Sequence, residues 1–226
     1  MDCRPEYIEF ALMKQCRALV EAPLSRNITQ ADFLRIVPGL GAQWLEEKKE
    51  MLRGHLQAHF NLPKASRRDP LDLAVATWIC CSCSNFIPLR FPAILAHRCA
   101  YKPWSEDQGL RYDRDDAYVT DAVSLHARKT LHYTDARIPY SFDQIFSPRY
   151  QYSNHWQLAD IISAMGLDPK RATLEDVERC DVRLRCLPCS RRGQAKHDEI
   201  YGWEAAVSPT VTPEELKLNN MFSWNT

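Results

Sequence analysis

Cys80 and Cys83 stand in a C-x2-C-x13-H-x-C arrangement with His97 and Cys99. Zinc takes four nitrogen or sulfur ligands in a tetrahedron, at about 2.0–2.3 Å, and two residues between thiolates let a tight turn offer both sulfurs to one ion. Phe91 to His97 reads as a short helix ending on the histidine, which gives the strand–knuckle–helix layout of a zinc finger. Ile94 and Leu95 beside Phe86 would form its small apolar core, and metal binding would supply folding free energy that so small a core lacks. Cys99 follows His97 by only two residues, so the chain must turn away from the helix there. His126, His132 and Cys81 are alternative fourth ligands, Cys81 the least apt because adjacent cysteines rarely reach the same ion. Plain burial of the thiols is the competing explanation. A redox role fits poorly, because Ser84-Asn85-Phe86-Ile87-Pro88 after the motif is not a helix opening.

A second knuckle is Cys186-Leu-Pro-Cys189, with Cys180 before it and His197 after it. Trp203 to Val207 reads as the following helix, but Ser208 and Pro209 stand where a closing histidine is wanted. Either a more distant ligand such as His197 completes this site or it holds no metal. Arg179, Arg183, Arg185, Arg191, Arg192 and Lys196 surround it, against Glu178 and Asp181. Such a patch suits phosphate contacts; solvent-facing arginines on a strand are the simpler explanation.

Other chemical signals are weaker. His55 and His59 lie one helical turn apart, but the base position of an H-E-x-x-H protease motif is taken by Leu56, so both read as partly buried helix residues. Asp113, Asp115, Asp116 and Asp121 are close enough in sequence to hold a hard cation but lack an EF-hand pattern, and neutralisation by Arg111 and Arg114 on a surface loop is the simpler account. No G-x-S-x-G elbow occurs. With 7 glycines and neither GxGxxG nor GxxxxGK, the common nucleotide cradles are disfavoured.

The elements that must position these residues follow from apolar spacing. Residues 6–22 are predicted as one helix, with Tyr7, Ile8, Phe10, Ala11, Leu12, Ala18 and Leu19 inward. Thr29 caps a short helix through Leu34. A stronger helix covers Ala42 to Phe60, with Trp44, Leu45, Met51, Leu52, Leu56 and Phe60 on one face and Glu46 to Glu50 with Arg53 on a solvated one. Leu71 to Ile79 is an apolar approach to the first knuckle. A helix is expected near 116–132, another over Trp156 to Met165 stopped by Gly166, and a third over Leu174 to Arg179 opened by Thr173 and Asp176. Asp181 to Cys186 alternates as a half-exposed strand does. Thr212-Pro213-Glu214-Glu215 is a helix-start signature.

The expected class is therefore α+β, mainly helical, with short β-hairpin zinc knuckles. Four segments follow: a helical 1–62, a first knuckle unit 63–104, an irregular 105–150, and a second CxxC unit 151–226. The 226 residues carry Lys+Arg 29 against Asp+Glu 29, a formal net charge of zero, so no global field draws nucleic acid or membrane. Acids and Pro5 near the N-terminus do not suit a signal peptide, and no apolar run reaches the roughly 18 residues of a membrane helix. An intracellular protein of cytoplasm or nucleus is expected, where nine cysteines are kept reduced and metal ligation explains them better than disulfides.

Asp69-Pro70-Leu71-Asp72-Leu73-Ala74, Trp78-Ile79-Cys80-x2-Cys83 and Phe91-Pro92-x2-Leu95-x-His97-x-Cys99 resemble a region of mushroom-forming fungal F-box-domain proteins. So do Met165 to Pro169, Ala172 to Asp176, Asp181-Val-Arg-Leu-x-Cys186-x2-Cys189 and Trp203-x2-Ala206-Val207. The resemblance covers roughly residues 40–210. It implies ligand roles for Cys80, Cys83, His97, Cys99, Cys186 and Cys189. An F-box is not recognisable in residues 1–40, and Pro209 replaces the histidine of the family pattern. The expected function is a protein-interaction module stabilised by structural Zn2+ at one site, with the second uncertain, and with a protein partner. The alternatives are a zinc-dependent nucleic-acid binder using Arg183, Arg185, Arg191 and Arg192, and a hydrolytic enzyme with an open zinc site.

Overall fold

The computed structural model describes residues 5–62, 68–80, 88–101, 116–130, 140–142, 158–186, 200–201, 203 and 224–225. Among these the protein is mainly helical. Contacts group the chain into two compact units, Met1–Met51 with Leu95–Ile145, and Leu52–Ile94 with Phe146–Thr226.

In the first unit the helix expected over residues 6–22 is two helices, α1 (Tyr7–Ala11) and α2 (Lys14–Val20). Met13 is extended between them, at φ −70° and ψ 143°. On one continuous helix Met13 would sit about 140° round from Ile8. The break instead buries Ile8, Met13, Cys16 and Leu19 together. Tyr7 and Ala18, expected inward, are exposed.

The two helices expected after Thr29 are one, α3 (Gln30–Phe60), which runs through Pro38. Proline removes one N–H and crowds the carbonyl four residues back. The stripe that continues the helix, Leu40, Trp44, Leu52, Leu56 and Phe60, is buried at every position. At its start the Asp32 carboxylate accepts from the Thr29 N–H and hydroxyl, both at 2.9 Å. Those bonds hold Asp32 below the usual carboxylate range.

The charged face of α3 is not simply solvated. Glu9 of α1 is 5% exposed and accepts from Trp44 Nε1–H at 2.7 Å, from the Lys48 ammonium at 3.1 Å and from the Tyr140 N–H. Lys48 Nζ also lies 5.7 Å from the Trp44 ring centroid and 5.0 Å from that of Tyr140. A buried carboxylate must be paired and hydrogen-bonded in this way or it costs several kcal/mol. Helix α4 (Ala117–Thr130) of this unit is held by the Tyr118 hydroxyl donating to Ala11 O at 2.7 Å and by the Arg17–Asp116 ion pair.

In the second unit Arg53, expected in solvent, grips Asp69 with Nε at 3.0 Å from Oδ1 and Nη2 at 2.6 Å from Oδ2. Asp69 in turn caps the 3-10 turn Pro70–Asp72 by accepting from the Leu71 N–H. The apolar approach expected over Leu71 to Ile79 then runs buried to β1 (Trp78–Ile79), apart from exposed Asp72. It is fastened midway, where the Ala74 N–H donates to Ala172 O at 2.8 Å and Leu73 bridges Thr173.

Strand β1 pairs antiparallel with β2 (Pro88–Leu89), Trp78 opposite Leu89 and Ile79 opposite Pro88. Helical residues 158–164 end as expected: Gly166 has φ +79°, Leu167 N–H donates to Ile162 O, and Gly166 N–H to Ser163 O. That bond pair is the Schellman arrangement glycine permits. Thr173 and Asp176 form the expected capping box, opening α5 (Leu174–Glu178). Strand β3 (Leu184–Cys186) lies between β4 (Ile200–Tyr201) and β5 (Trp224–Asn225), antiparallel to both. It is shorter than the strand expected from Asp181, and the Thr212 helix start lies outside the described residues.

Replacing Glu9 by alanine strands Lys48 and two N–H donors, so a loss of about 3 kcal/mol or more in urea unfolding is expected; Lys48→Met leaves the buried Glu9 carboxylate without its cation and should likewise be destabilising in the same assay. Gly54 sits exposed in α3 with nothing within 4 Å of an added Cβ. Gly54→Ala is therefore expected to raise stability by about 0.5–1 kcal/mol in the same assay.

Candidate metal centre

Cys80 follows directly on strand β1 and is fully buried at 0% exposure, and Cys99 is 7% exposed. His97 is half-buried. The Sγ atoms of Cys80 and Cys99 and a ring nitrogen of His97 all lie within 4.8 Å of one another. A zinc tetrahedron with bonds of about 2.3 Å has edges of about 3.7 Å, so each of the three separations exceeds a tetrahedral edge by at most about 1 Å. Cys83, the intended fourth ligand, lies outside the described residues.

Local structure explains how a histidine and a cysteine two apart face the same point. The helix expected from Phe91 to His97 is a 3-10 turn, Ala93–Ala96, and a second 3-10 turn, Arg98–Tyr101, follows at once. His97 is the joint between them. Its carbonyl accepts from the Ala100 N–H at 3.0 Å, which curls Cys99 back toward the imidazole. The Tyr101 hydroxyl donates to Leu95 O at 2.7 Å and ties the second turn to the first. Ile94 and Leu95, the expected core of the knuckle, are both 0% exposed.

The backbone that leads to Cys80 is fixed by Arg90. Its guanidinium donates to Leu73 O at 3.0 Å, to Ala74 O at 3.1 Å and to the Thr77 hydroxyl at 2.9 Å. The Thr77 hydroxyl donates in turn to Ala74 O at 3.0 Å. The turn before β1 is thus clamped by the residue that follows β2. Burial works against the Arg90 charge, while Glu178 and Asp72 support it. Sequence reading missed this role; a lone arginine between Leu89 and Phe91 was the available signal.

Two thiols and an imidazole suit zinc, being borderline-soft donors, and do not suit calcium or magnesium, which take oxygen. Of the alternative ligands, His126 is on α4 and outside this group; His132 and Cys81 are outside the described residues. In the second knuckle Cys186 is on β3 with its backbone opposite Trp224. Cys189, His197, Arg191 and Arg192 lie outside the described residues. Cys180 points its thiol at Met165 O, 3.7 Å away. Arg183 is exposed and paired with Asp181 at 3.0 Å, and Arg185 lies opposite Ile200 and Asn225 in the sheet register.

The histidine pair on α3 is half-buried, as expected, and its rings stack at 6.0 Å and 13°. Burial, with the neighbouring His59 second, lowers His55 to about 4, and burial lowers His59 as well. Of the aspartates, Asp116 is bound to Arg17, which holds it below the usual carboxylate range; Asp113 and Asp115 lie outside the described residues.

No family model matches the chain, and neither curated proteins nor solved structures give a significant match. No helix among the described residues is long and apolar enough to cross a membrane.

Because His55 is harder to protonate folded than unfolded, its contribution is intact above about pH 6.5. It is lost progressively as pH falls toward 4. His55→Gln is expected to shrink the drop in urea midpoint between pH 7 and pH 5 relative to the parent protein. An unchanged drop would show that this imidazole does not limit acid stability.

Proposed function

We propose that Cys80, Cys83, His97 and Cys99 hold one structural zinc ion, and that the protein is an intracellular, zinc-stabilised protein-interaction module. The observation that carries this reading is the convergence of Cys80, His97 and Cys99 ligand atoms within 4.8 Å, with both sulfurs buried. Cys83 completes the set, because a turn from Cys80 with two intervening residues brings the second thiolate to the same ion. The hairpin between β1 and β2 is then a zinc knuckle, in which metal does the work of a core. The resemblance to the fungal F-box-domain proteins names the same four residues, and on it we place the protein as a relative of that group. Four protein ligands leave no position for a reactive water, so the role of the metal is structural and no catalysis is assigned.

Elemental analysis of protein purified under reducing conditions and dialysed is expected to give one zinc per chain from this site. Cys83→Ser and Cys99→Ser should each lose that equivalent, whereas Cys180→Ser should retain it. Chelation should lower the melting temperature by on the order of 10 °C, given the several kcal/mol such sites contribute to folding. No bound metal in the parent protein, or full zinc in Cys83→Ser, would refute the assignment.

A further inference from the structure

The first unit has a half-open groove of about 580 Å³ between α1, the end of α2 and α4. That volume lies in the range of small-molecule sites, roughly 300–1,000 Å³. Its walls gather large apolar side chains that the fold leaves uncovered: Tyr7 is 85% exposed, Val20 53% and Leu125 57%, half of the exposed large apolar residues described. Scattered apolar side chains need no explanation, but three around one concavity mark a binding surface.

Among the described residues Asp121 is the only carboxylate of the lining and none is a lysine or arginine; His126 on the same helix is the other side chain there that can carry charge near neutral pH. No described side chain forms an ion pair with Asp121. Arg17 lies over the Tyr118 ring at 5.1 Å. Its charge is committed to Glu21 at 2.9 Å and to Asp116. Tyr118 also lines the groove, with its hydroxyl spent on Ala11 O, so it offers the groove its ring.

We propose that this groove is a binding site for a small apolar molecule with a cationic amine end, the hydrocarbon body lying along Ile8, Val20 and Leu125 and the ammonium meeting Asp121. This goes beyond the zinc reading and does not depend on it.

The test uses the full-length, zinc-replete protein with n-octylammonium, n-octanol and n-octyl sulfate as probes, each well below its micelle concentration. Methyl-resolved NMR titration is expected to show saturable binding of octylammonium, with the Val20 and Leu125 methyl signals moving. Octanol should bind about two- to fivefold more weakly and octyl sulfate more weakly still, since a half-exposed ion pair contributes little more than that. Asp121→Asn should weaken octylammonium by the same factor and leave octanol unchanged, and Leu125→Asp should weaken octanol, with helical content by circular dichroism confirming that both variants fold. Octanol or octyl sulfate binding as tightly as the amine, an unaltered amine affinity in Asp121→Asn, or binding without movement of the Val20 and Leu125 signals would overturn the proposal.

Discussion

Two cysteine sulfurs buried within 4.8 Å of each other and of an imidazole form an arrangement that apolar packing alone does not explain. Apolar contacts are non-directional and would be served as well by leucine or valine at those positions. The zinc proposed here would bind both sulfurs as thiolates, and its charge would turn their mutual repulsion in a medium of low dielectric into attraction. The surrounding elements make sense as devices for bringing those three groups together. Strand β1 delivers Cys80, and two successive 3-10 turns deliver His97 and Cys99.

The supports are polar and individually modest, but they act in series. Arg90 fastens three acceptors in the turn before β1, and Arg53 fixes Asp69, which caps the turn before that. A single guanidinium in a fixed fork replaces several weaker contacts, and lysine would not reproduce it. The Glu9 carboxylate does comparable work in the other unit, collecting an indole, an ammonium and a backbone amide. In each unit a paired charge organises the irregular backbone that apolar burial cannot specify.

Local signals were legible in the sequence wherever the physics is local. Thr173 with Asp176, and Gly166 after a buried apolar run, fixed a helix start and a helix stop because each depends on neighbours within a few residues. The HxC spacing of His97 and Cys99 is local in the same sense, whereas Cys80 joins them from 17 residues away in sequence. What stayed hidden depends on distant partners. The break at Met13 exists because a tertiary core wants Ile8 and Met13 on one side, and the pull of the Leu40 to Phe60 stripe carries α3 through Pro38 against its own preference. Lys48 and Arg53 looked like solvent-facing charges because their partners, Glu9 and Asp69, lie 39 and 16 residues away in sequence.

The coordination shell of the proposed zinc is directly measurable. Zinc K-edge X-ray absorption of the intact protein, with Cys186 and Cys189 both replaced by serine so that only one site contributes, is expected to show three sulfur scatterers at about 2.3 Å and one imidazole nitrogen at about 2.0–2.1 Å. A shell of oxygen and nitrogen alone, or a three-ligand site completed by water, would contradict a closed structural centre at Cys80, Cys83, His97 and Cys99.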